Sequence, residues 1–329
     1  MRKYIIRRLF LAVVILFFVA FIIYLIMRSL PMSYIERVAR EKATAPGATR
    51  SYEDWVAQLG AIYGMNRGLI PGFFKWLSNA FRGNFGDSWL FNIPVLKKFS
   101  EVILDSVYLN VSATVFEFAI AIPLGMLAAR KQYSKTDYAV TVIALIGISL
   151  PTFFLATMLK LVFSIKLGLF DLYGKVGRNH LTMSSFMQVL DIMHHYILPI
   201  ITITIVSIGS LMRYVRTNTL EVLHSDFIRT ARAKGLPESR VINHHAFRNT
   251  LLPIITMVGT MIPGLFSGAM ITEILFQIPG IGYTSYLAIT QGDIPFTMFF
   301  LVFISLLTLI GSLVSDILYA AADPRVRIA

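Results

Sequence analysis

A chain of 329 residues that is 56% hydrophobic and only 15% charged is too apolar for an ordinary soluble domain. Its formal net charge of +12 does not indicate a nucleic-acid binder, because the basic residues punctuate long apolar runs instead of clustering on a polar fold. Lipid headgroups and the positive-inside rule account for them, so membrane lipid is an expected partner and nucleic acid is not. The absence of cysteine excludes disulfides, a lipid-modified cysteine anchor and thiolate metal sites.

Arg2, Lys3, Arg7 and Arg8 precede an apolar run over 9–27. That run is longer than the core of a secretory signal peptide and lacks a small-residue cleavage site, so it reads as a retained first span with the N-terminus inside. Residues 31–100 form the longest polar insertion, external by topology. Within it, 43–51 reads as a flexible loop and 52–62 as a short helix. Phe73, Phe74, Trp76, Leu77 and Phe81 interleave with Lys75 and Arg82, the pattern of a helix lying in the membrane interface.

Further spans are expected near 102–129, 138–165, 196–215, 252–275 and 296–319, giving six in all. Arg130, Lys131 and Lys135 mark the link after the second span as cytoplasmic. The link 277–294 has no Lys or Arg and reads as external. Both termini are then cytoplasmic, with Arg325 and Arg327 in the tail. Pro123 with Gly125, Gly147 with Pro151, and Pro263 with Gly264 lie inside spans, where they permit kinks and close helix packing or shape a pathway that opens and closes.

The chain offers little for catalysis. No H-E-x-x-H, G-x-S-x-G or Walker A lysine motif occurs, so neither an enzyme nor an ATP site is expected. His194–His195 and His244–His245 resemble metal ligands at first sight, but neighbouring residues face different sides of a helix and no paired carboxylate supports them. No metal site is therefore expected. Glu117 and Lys160 are the main ionisable groups within spans. Lys160 is near enough to an interface to snorkel. Glu117 is a candidate for a wet cavity, a subunit interface or an ion-coupled carrier.

The one long polar stretch of the second half is 221–253, with Arg229, Arg232, Lys234, Arg240 and Arg248 against Glu221, Asp226 and Glu238. Ser225 and Asp226 suit a helix start, and Lys234, Gly235 and Pro237 a helix end. The helix so delimited, 226–234, is about 13 Å long. Phe227, Thr230, Ala231 and Lys234 share one face of it, a small-residue surface with Phe227 as an anchor for an approaching partner. Pro237 opens a second helix to about His245.

This stretch carries a resemblance. D-F-I-R-T-A-R-A-K-G-L-P at 226–237 and H-A-F-R-N-T-L-L-P at 245–253 resemble the cytoplasmic "EAA" loop of ABC-transporter permeases, in the dipeptide and oligopeptide version. Arg229, Thr230 and Ala231 stand where the general signature has Glu-Ala-Ala, and Gly235 where it has its Gly. Glu273 through Pro279, Gly280, Ile281 and Gly282 is similar to the family's E-x-x-x-x-x-P-G-I-G segment. Gly83 to Ser88 resembles its Gly-Asp-Leu-Gly-x-Ser turn, and Asp316 onward with Asp323, Pro324 and Arg325 its C-terminal signature. One departure stands out: Leu30-Pro31-Met32-Ser33-Tyr34 replaces the usual Leu-Pro-Gly-Asp-Pro, which puts the external docking surface in question.

The resemblance implies an all-α polytopic membrane protein of type I ABC-importer permease architecture, with both termini cytoplasmic, in a prokaryotic cell membrane. It divides the chain into a first membrane helix (1–30), an extracytoplasmic loop with short amphipathic helices (31–100) and a five-helix permease core (101–329) with coupling loop 217–247. It implies a transport subunit, without cofactor of its own, in a peptide importer whose ATP is used by partners. Those partners are a second homologous permease, two cytoplasmic ATPase subunits and an extracytoplasmic peptide-binding protein. Phe227, Arg229, Thr230, Ala231, Arg232, Ala233, Lys234 and Gly235 are then the ATPase-coupling residues. Glu117, Glu273, Pro279, Gly280 and Gly282 are candidates for the translocation pathway. Nickel or another small ligand is the alternative cargo, and an ion-coupled secondary carrier using Glu117 the alternative mechanism.

Overall fold

A computed structural model of the chain describes residues 2–29, 33–44, 50–62 and 68–322. Of the expected loop at 43–51, Ala43 and Thr44 are instead the last turn of a helix and 45–49 lie outside the described residues, as do Leu30-Pro31-Met32 and the C-terminal Asp323, Pro324, Arg325 and Arg327. The helices in chain order are α1 (Arg2–Ser29), α2 (Ser33–Thr44), α3 (Tyr52–Ile62), α4 (Leu69–Phe81), α5 (Val95–Arg130), α6 (Lys135–Ser149) and α7 (Thr152–Leu159). They continue with α8 (Ser185–Leu223), α9 (Asp226–Ala233), α10 (Glu238–Arg240), α11 (Phe247–Ser267), α12 (Met270–Phe276), α13 (Ile281–Gln291) and α14 (Ile294–Ala322). Among the described residues no strand forms beyond one isolated bridge between Asp87 and Pro94.

Among the described residues, five helical stretches are long and apolar enough to cross a membrane: Ile6–Ser29, Val95–Arg130, Ser185–Leu223, Glu238–Phe276 and Ile294–Tyr319. The expected third span is sharply bent. It is two helical stretches, Lys135–Ser149 and Thr152–Lys166, bent by 101°, which count as a sixth span only when taken together. Each half is about 22 Å long, short of a hydrocarbon layer of about 30 Å. The bend follows from Pro151, whose ring drives the preceding residue out of helical geometry: Leu150 has ψ 123° and Pro151 itself ψ 136°. Within the Glu238–Phe276 stretch the α-helix is interrupted at Gly268 (φ 80°), where α11 ends before α12 begins, without splitting the span. The insertion holds one helix the sequence reading had not separated, α2, beside the anticipated α3.

The chain packs as two units. The first comprises Met1–Ile103 with Thr284–Leu309. Its core is aromatic: Phe73 on α4 is 1% exposed and lies 5.1–5.6 Å, ring to ring, from Phe17, Phe21 and Tyr24 of α1. α4 therefore turns one edge to α1 and leaves Phe74 and Phe81 exposed, as an interfacial helix would. Fully buried Asp293 ties the unit together. Its carboxylate accepts from the Ser88 hydroxyl, from the backbone N–H of Trp89 and Leu90 (3.2 Å each), and from the N–H of Phe296 (3.2 Å) at the start of α14. It thus caps a helix and holds the 83–88 turn at once. Burial, opposed by these bonds, holds its carboxyl above the ordinary range.

The second unit comprises Leu104–Tyr283 with Ile310–Ala329 and carries the candidate site. Its centre is made of Ala121, Ala128, Val140, Ala144, Leu211, Met212, Val215 and Ile254. Small residues let its helices touch: a Cβ on Gly209 would lie 2.3 Å from the Ala144 carbonyl oxygen, and one on Gly125 2.7 Å from that of Met212. Packing accounts for Gly125 and Gly147, whereas nothing lies within 4 Å of a Cβ on Gly264. Asp137 and Arg216 clamp α6 to α8 by two bonds of 2.6 and 2.7 Å, in the fork geometry suited to guanidinium and carboxylate.

Candidate coupling element and pathway residues

α8 is 39 residues long, about 58 Å, so its two ends lie on opposite faces of any bilayer it crosses. At its C-terminal end the chain turns at His224–Ser225 into α9. The turn is a backbone one: the Ser225 hydroxyl donates to the Val222 carbonyl at 2.5 Å and makes no side-chain cap to α9, contrary to the expected capping role. Asp226 supplies an acidic first turn that complements the helix dipole.

The face that α9 turns to its own chain includes only one residue, Ala231, of the face read as open to a partner. Ile228 (0% exposed) and Ala231 (7%) point inward and pack with Val241 and Ala246, flanked by Val222, Leu223 and Leu236. Burial of Ile228 contributes about 1.5–3 kcal/mol towards holding α9 in place. Ala231 therefore faces its own chain, not a partner. Phe227 is 46% exposed and the Arg229 side chain 73% exposed, and Thr230, Ala233 and Lys234 are exposed as well. The outer face is thus an aromatic ring beside two or three cationic chains.

α9 ends as expected. Lys234 closes it, its N–H reaching the Thr230 carbonyl at 3.1 Å, and Gly235 follows with φ 73° and its N–H on the Arg232 carbonyl at 2.9 Å. Arg232 then reaches across the joint to Glu238 with bonds of 2.7 and 3.2 Å, which hold the guanidinium even more firmly protonated. The expected separate helix from Pro237 to about His245 is corrected. Only α10 is α-helical; Val241–Ala246 is a wider π-helical turn, and it runs without a break into α11. α9 is therefore connected at both ends to long helices, α8 and α11, through short joints. A cleft of about 380 Å³ lined by Pro123, Met126, Arg130, Ile242, Asn243 and Phe247 lies beside the second joint.

The pathway candidates fall into two places. Glu117, mid-way along α5, is 9% exposed and makes no hydrogen bond or ion pair among the described residues. Glu273, Pro279, Gly280 and Gly282 come together as a knot. Fully buried Glu273 accepts from the Ser106 hydroxyl (2.6 Å), from the N–H of Ala269 (3.0 Å) and from that of Tyr283 (2.8 Å). Ser106 in turn accepts from the Ile281 N–H at 2.7 Å. A Cβ on Gly280 would lie 2.4 Å from the Glu273 carboxyl carbon, so only glycine lets the P-G-I-G backbone approach this closely. Ser106 was missed in the sequence; its one signal is a polar pair, Asp105–Ser106, within an apolar helix. Asp105 itself receives the Tyr196 hydroxyl at 2.8 Å and Lys175 at 2.5 Å.

Lys160 is held by groups of this chain. Its ammonium donates to the Leu275 carbonyl at 2.7 Å and sits 3.9 Å from the centre of the Tyr173 ring, neutralising the negative end of α12. The histidine reading changes too. His244 and His245 stand edge to face, and among the described residues no carboxylate joins them into a ligand group. Beside His194–His195, however, the 167–184 loop brings in Asp171, whose Oδ2 lies 3.2 Å from His195 Nε2. That carboxylate comes from more than twenty residues away, while the local one, Asp191, lies 3.4 Å from His195 Nδ1.

Long apolar helices, one broken span and a short polar helix displayed between two of them define a polytopic membrane transport component. Comparison with known proteins places it further. Residues 121–328 match the family described as the binding-protein-dependent transport system inner membrane component, and the chain belongs to that family. It is 34% identical to the oligopeptide transport system permease protein AppB of Bacillus subtilis, over 99% of this chain and all of that one. It is 31% identical to the dipeptide transport system permease protein DppB of Lactococcus lactis over the full length of both. Against the oligopeptide transport system permease protein OppB of Haemophilus influenzae the identity is 32%, covering 99% and 100% of the two chains.

Proposed function

We propose that this chain is one permease half of an ATP-driven peptide importer in a prokaryotic cytoplasmic membrane. It pairs with a second, similar permease, with two cytoplasmic ATPase subunits and with an extracytoplasmic peptide-binding protein. Its N- and C-termini are cytoplasmic. The observation that carries the reading is α9: a short helix fixed from behind by Ile228 and Ala231, locked at its exit by Arg232 and Glu238, and presenting Phe227, Arg229 and Lys234 outward. A rigid helix of this kind, jointed to α8 and α11, transmits a push from a docked ATPase into two membrane helices. Full-length similarity to peptide permeases supports the cargo. ATP closes the ATPase pair, and the permease halves shift between inward-open and outward-open states through differential binding to the two. Glu117 lines the pathway or the seam with the second permease, where its lack of a partner among the described residues is made good by water or by the neighbouring subunit. The Glu273 knot stiffens the end of that pathway.

The test is gentle purification from native membranes followed by mass spectrometry of what accompanies the chain. A second permease and Walker-motif ATPases are expected. A clean monomer or homodimer that transports in liposomes without ATP would overturn the reading and shift attention to Glu117.

A further inference from the structure

Asp171, His194 and His195 form a group whose ligand atoms (one ring nitrogen from each histidine and a carboxylate oxygen) all lie within 4.8 Å of one another. The hydrogen bonds around them decide which nitrogens carry lone pairs. A carbonyl oxygen can only accept, so the ring nitrogen facing it must be an N–H. His194 Nε2 faces the Leu169 carbonyl at 3.0 Å, which leaves Nδ1 as its lone-pair nitrogen. His195 Nδ1 faces the Asp191 carbonyl at 2.7 Å, which leaves Nε2. That Nε2 belongs to a side chain only 2% exposed, has no hydrogen-bond partner, and points to the Asp171 carboxylate 3.2 Å away. Two lone-pair atoms this close, only one of them in a buried side chain, are held together by a positive centre between them, a metal ion or a proton.

We propose that this group is a binding site for one divalent transition cation of the zinc or cobalt class. Ring nitrogens and a carboxylate are the ligand set such ions take, with bonds of about 2.0–2.2 Å. Two ligands of a tetrahedral ion at that bond length stand about 3.3–3.5 Å apart, close to the observed 3.2 Å between His195 Nε2 and Asp171 Oδ2. Both histidines already donate their other ring N–H to backbone carbonyls, the outer-shell arrangement that orients imidazole ligands. The Asp171 side chain is 60% exposed, so closing the remaining distance to His194 would displace only solvent around it. Its exposure leaves an open coordination position for water or an incoming ligand.

The second shell is built as well. Asp191 takes the His180 ring at 2.7 Å and the Gly177 N–H at 2.9 Å, so the same loop is pinned to α8 a second time. A bound ion would close the loop between Asp171 and His194 onto the end of α8 opposite α9. The inference stands apart from the transport reading and is tested without it.

The experiment uses the full chain, purified in detergent without a polyhistidine tag, stripped with chelator and titrated with Co²⁺ under visible absorption, then with Zn²⁺ in competition. One ion per chain with a ligand-field spectrum that Zn²⁺ abolishes is expected. His195→Gln and Asp171→Asn should each weaken binding at least about tenfold. His244→Gln with His245→Gln should leave it unchanged. Asp171 is exposed enough that its substitution leaves the fold intact, which gel filtration checks, so the test survives even where His195→Gln fails to fold. Absence of stoichiometric binding by the unaltered chain, or full affinity in Asp171→Asn, would overturn the proposal.

Discussion

Gly235→Val is the sharpest perturbation of the proposed coupling element. Gly235 has φ 73°, and a Cβ built there meets nothing within 4 Å. The cost is therefore purely conformational and not a clash. A left-handed backbone costs an ordinary L-residue about 1–2 kcal/mol, with a β-branched residue at or above the upper end. At RT of about 0.59 kcal/mol this lowers the population of the native joint between α9 and α10 by roughly 5- to 30-fold, set against whatever the Arg232–Glu238 pair restores. That pair is about half exposed and contributes little against such a cost. Because α9 is held separately by Ile228 and Ala231, expression and assembly should survive while the angle between α9 and α11 is lost. The assay is peptide uptake and ATP hydrolysis measured together on the reconstituted complex. Gly235→Val should cut the number of peptides moved per ATP at least about fivefold, and Gly235→Asn, whose side chain tolerates this geometry, should restore most of it. Unchanged coupling in the valine variant, or equal damage from asparagine, would refute the reasoning.

Gly280→Ala should destabilise the second unit by about 1–3 kcal/mol, since its methyl group displaces Glu273 from Ser106 or the backbone donors and leaves a buried polar group unsatisfied; thermal unfolding of the purified chain reads this. Arg216→Ala leaves the buried Asp137 carboxylate without its cation, at a cost of about 3 kcal/mol, the low end for a buried pair because the arginine is a quarter exposed. Arg216→Lys should recover only part of that loss, because an ammonium cannot reproduce the two-pronged contact. Glu117→Gln should keep ATP-driven uptake of peptide, whereas a carrier that moved ions through Glu117 would lose transport altogether.

What the sequence determined by itself is the set of properties that depend on nearest neighbours along the chain. Runs of about 20 apolar residues must be membrane helices, because no other conformation satisfies their backbone in lipid. Pro151 must interrupt a helix, and Lys234-Gly235-Pro237 must end one, because those residues constrain their own φ and ψ. The motifs at 226–237 and 272–282 were legible for the same reason, since each is a contiguous stretch of special backbone. Tertiary structure decided everything that depends on what lies across a gap. Which face of α9 is buried was settled by Val241 and Ala246, so that Ile228 holds the helix to its own chain while Phe227 stays outward. Glu273 became a packed clasp because Ser106, on a helix far away in sequence, supplied a hydroxyl. Lys160 found a carbonyl where an aqueous interface was expected. Asp293 had no local signature at all; its partners Ser88 to Leu90 are about two hundred residues away. And two adjacent histidines gained Asp171 only when a loop folded back onto α8. Buried polar groups must be paired, and the strength of that demand is local, but the partner that answers it is chosen by the fold.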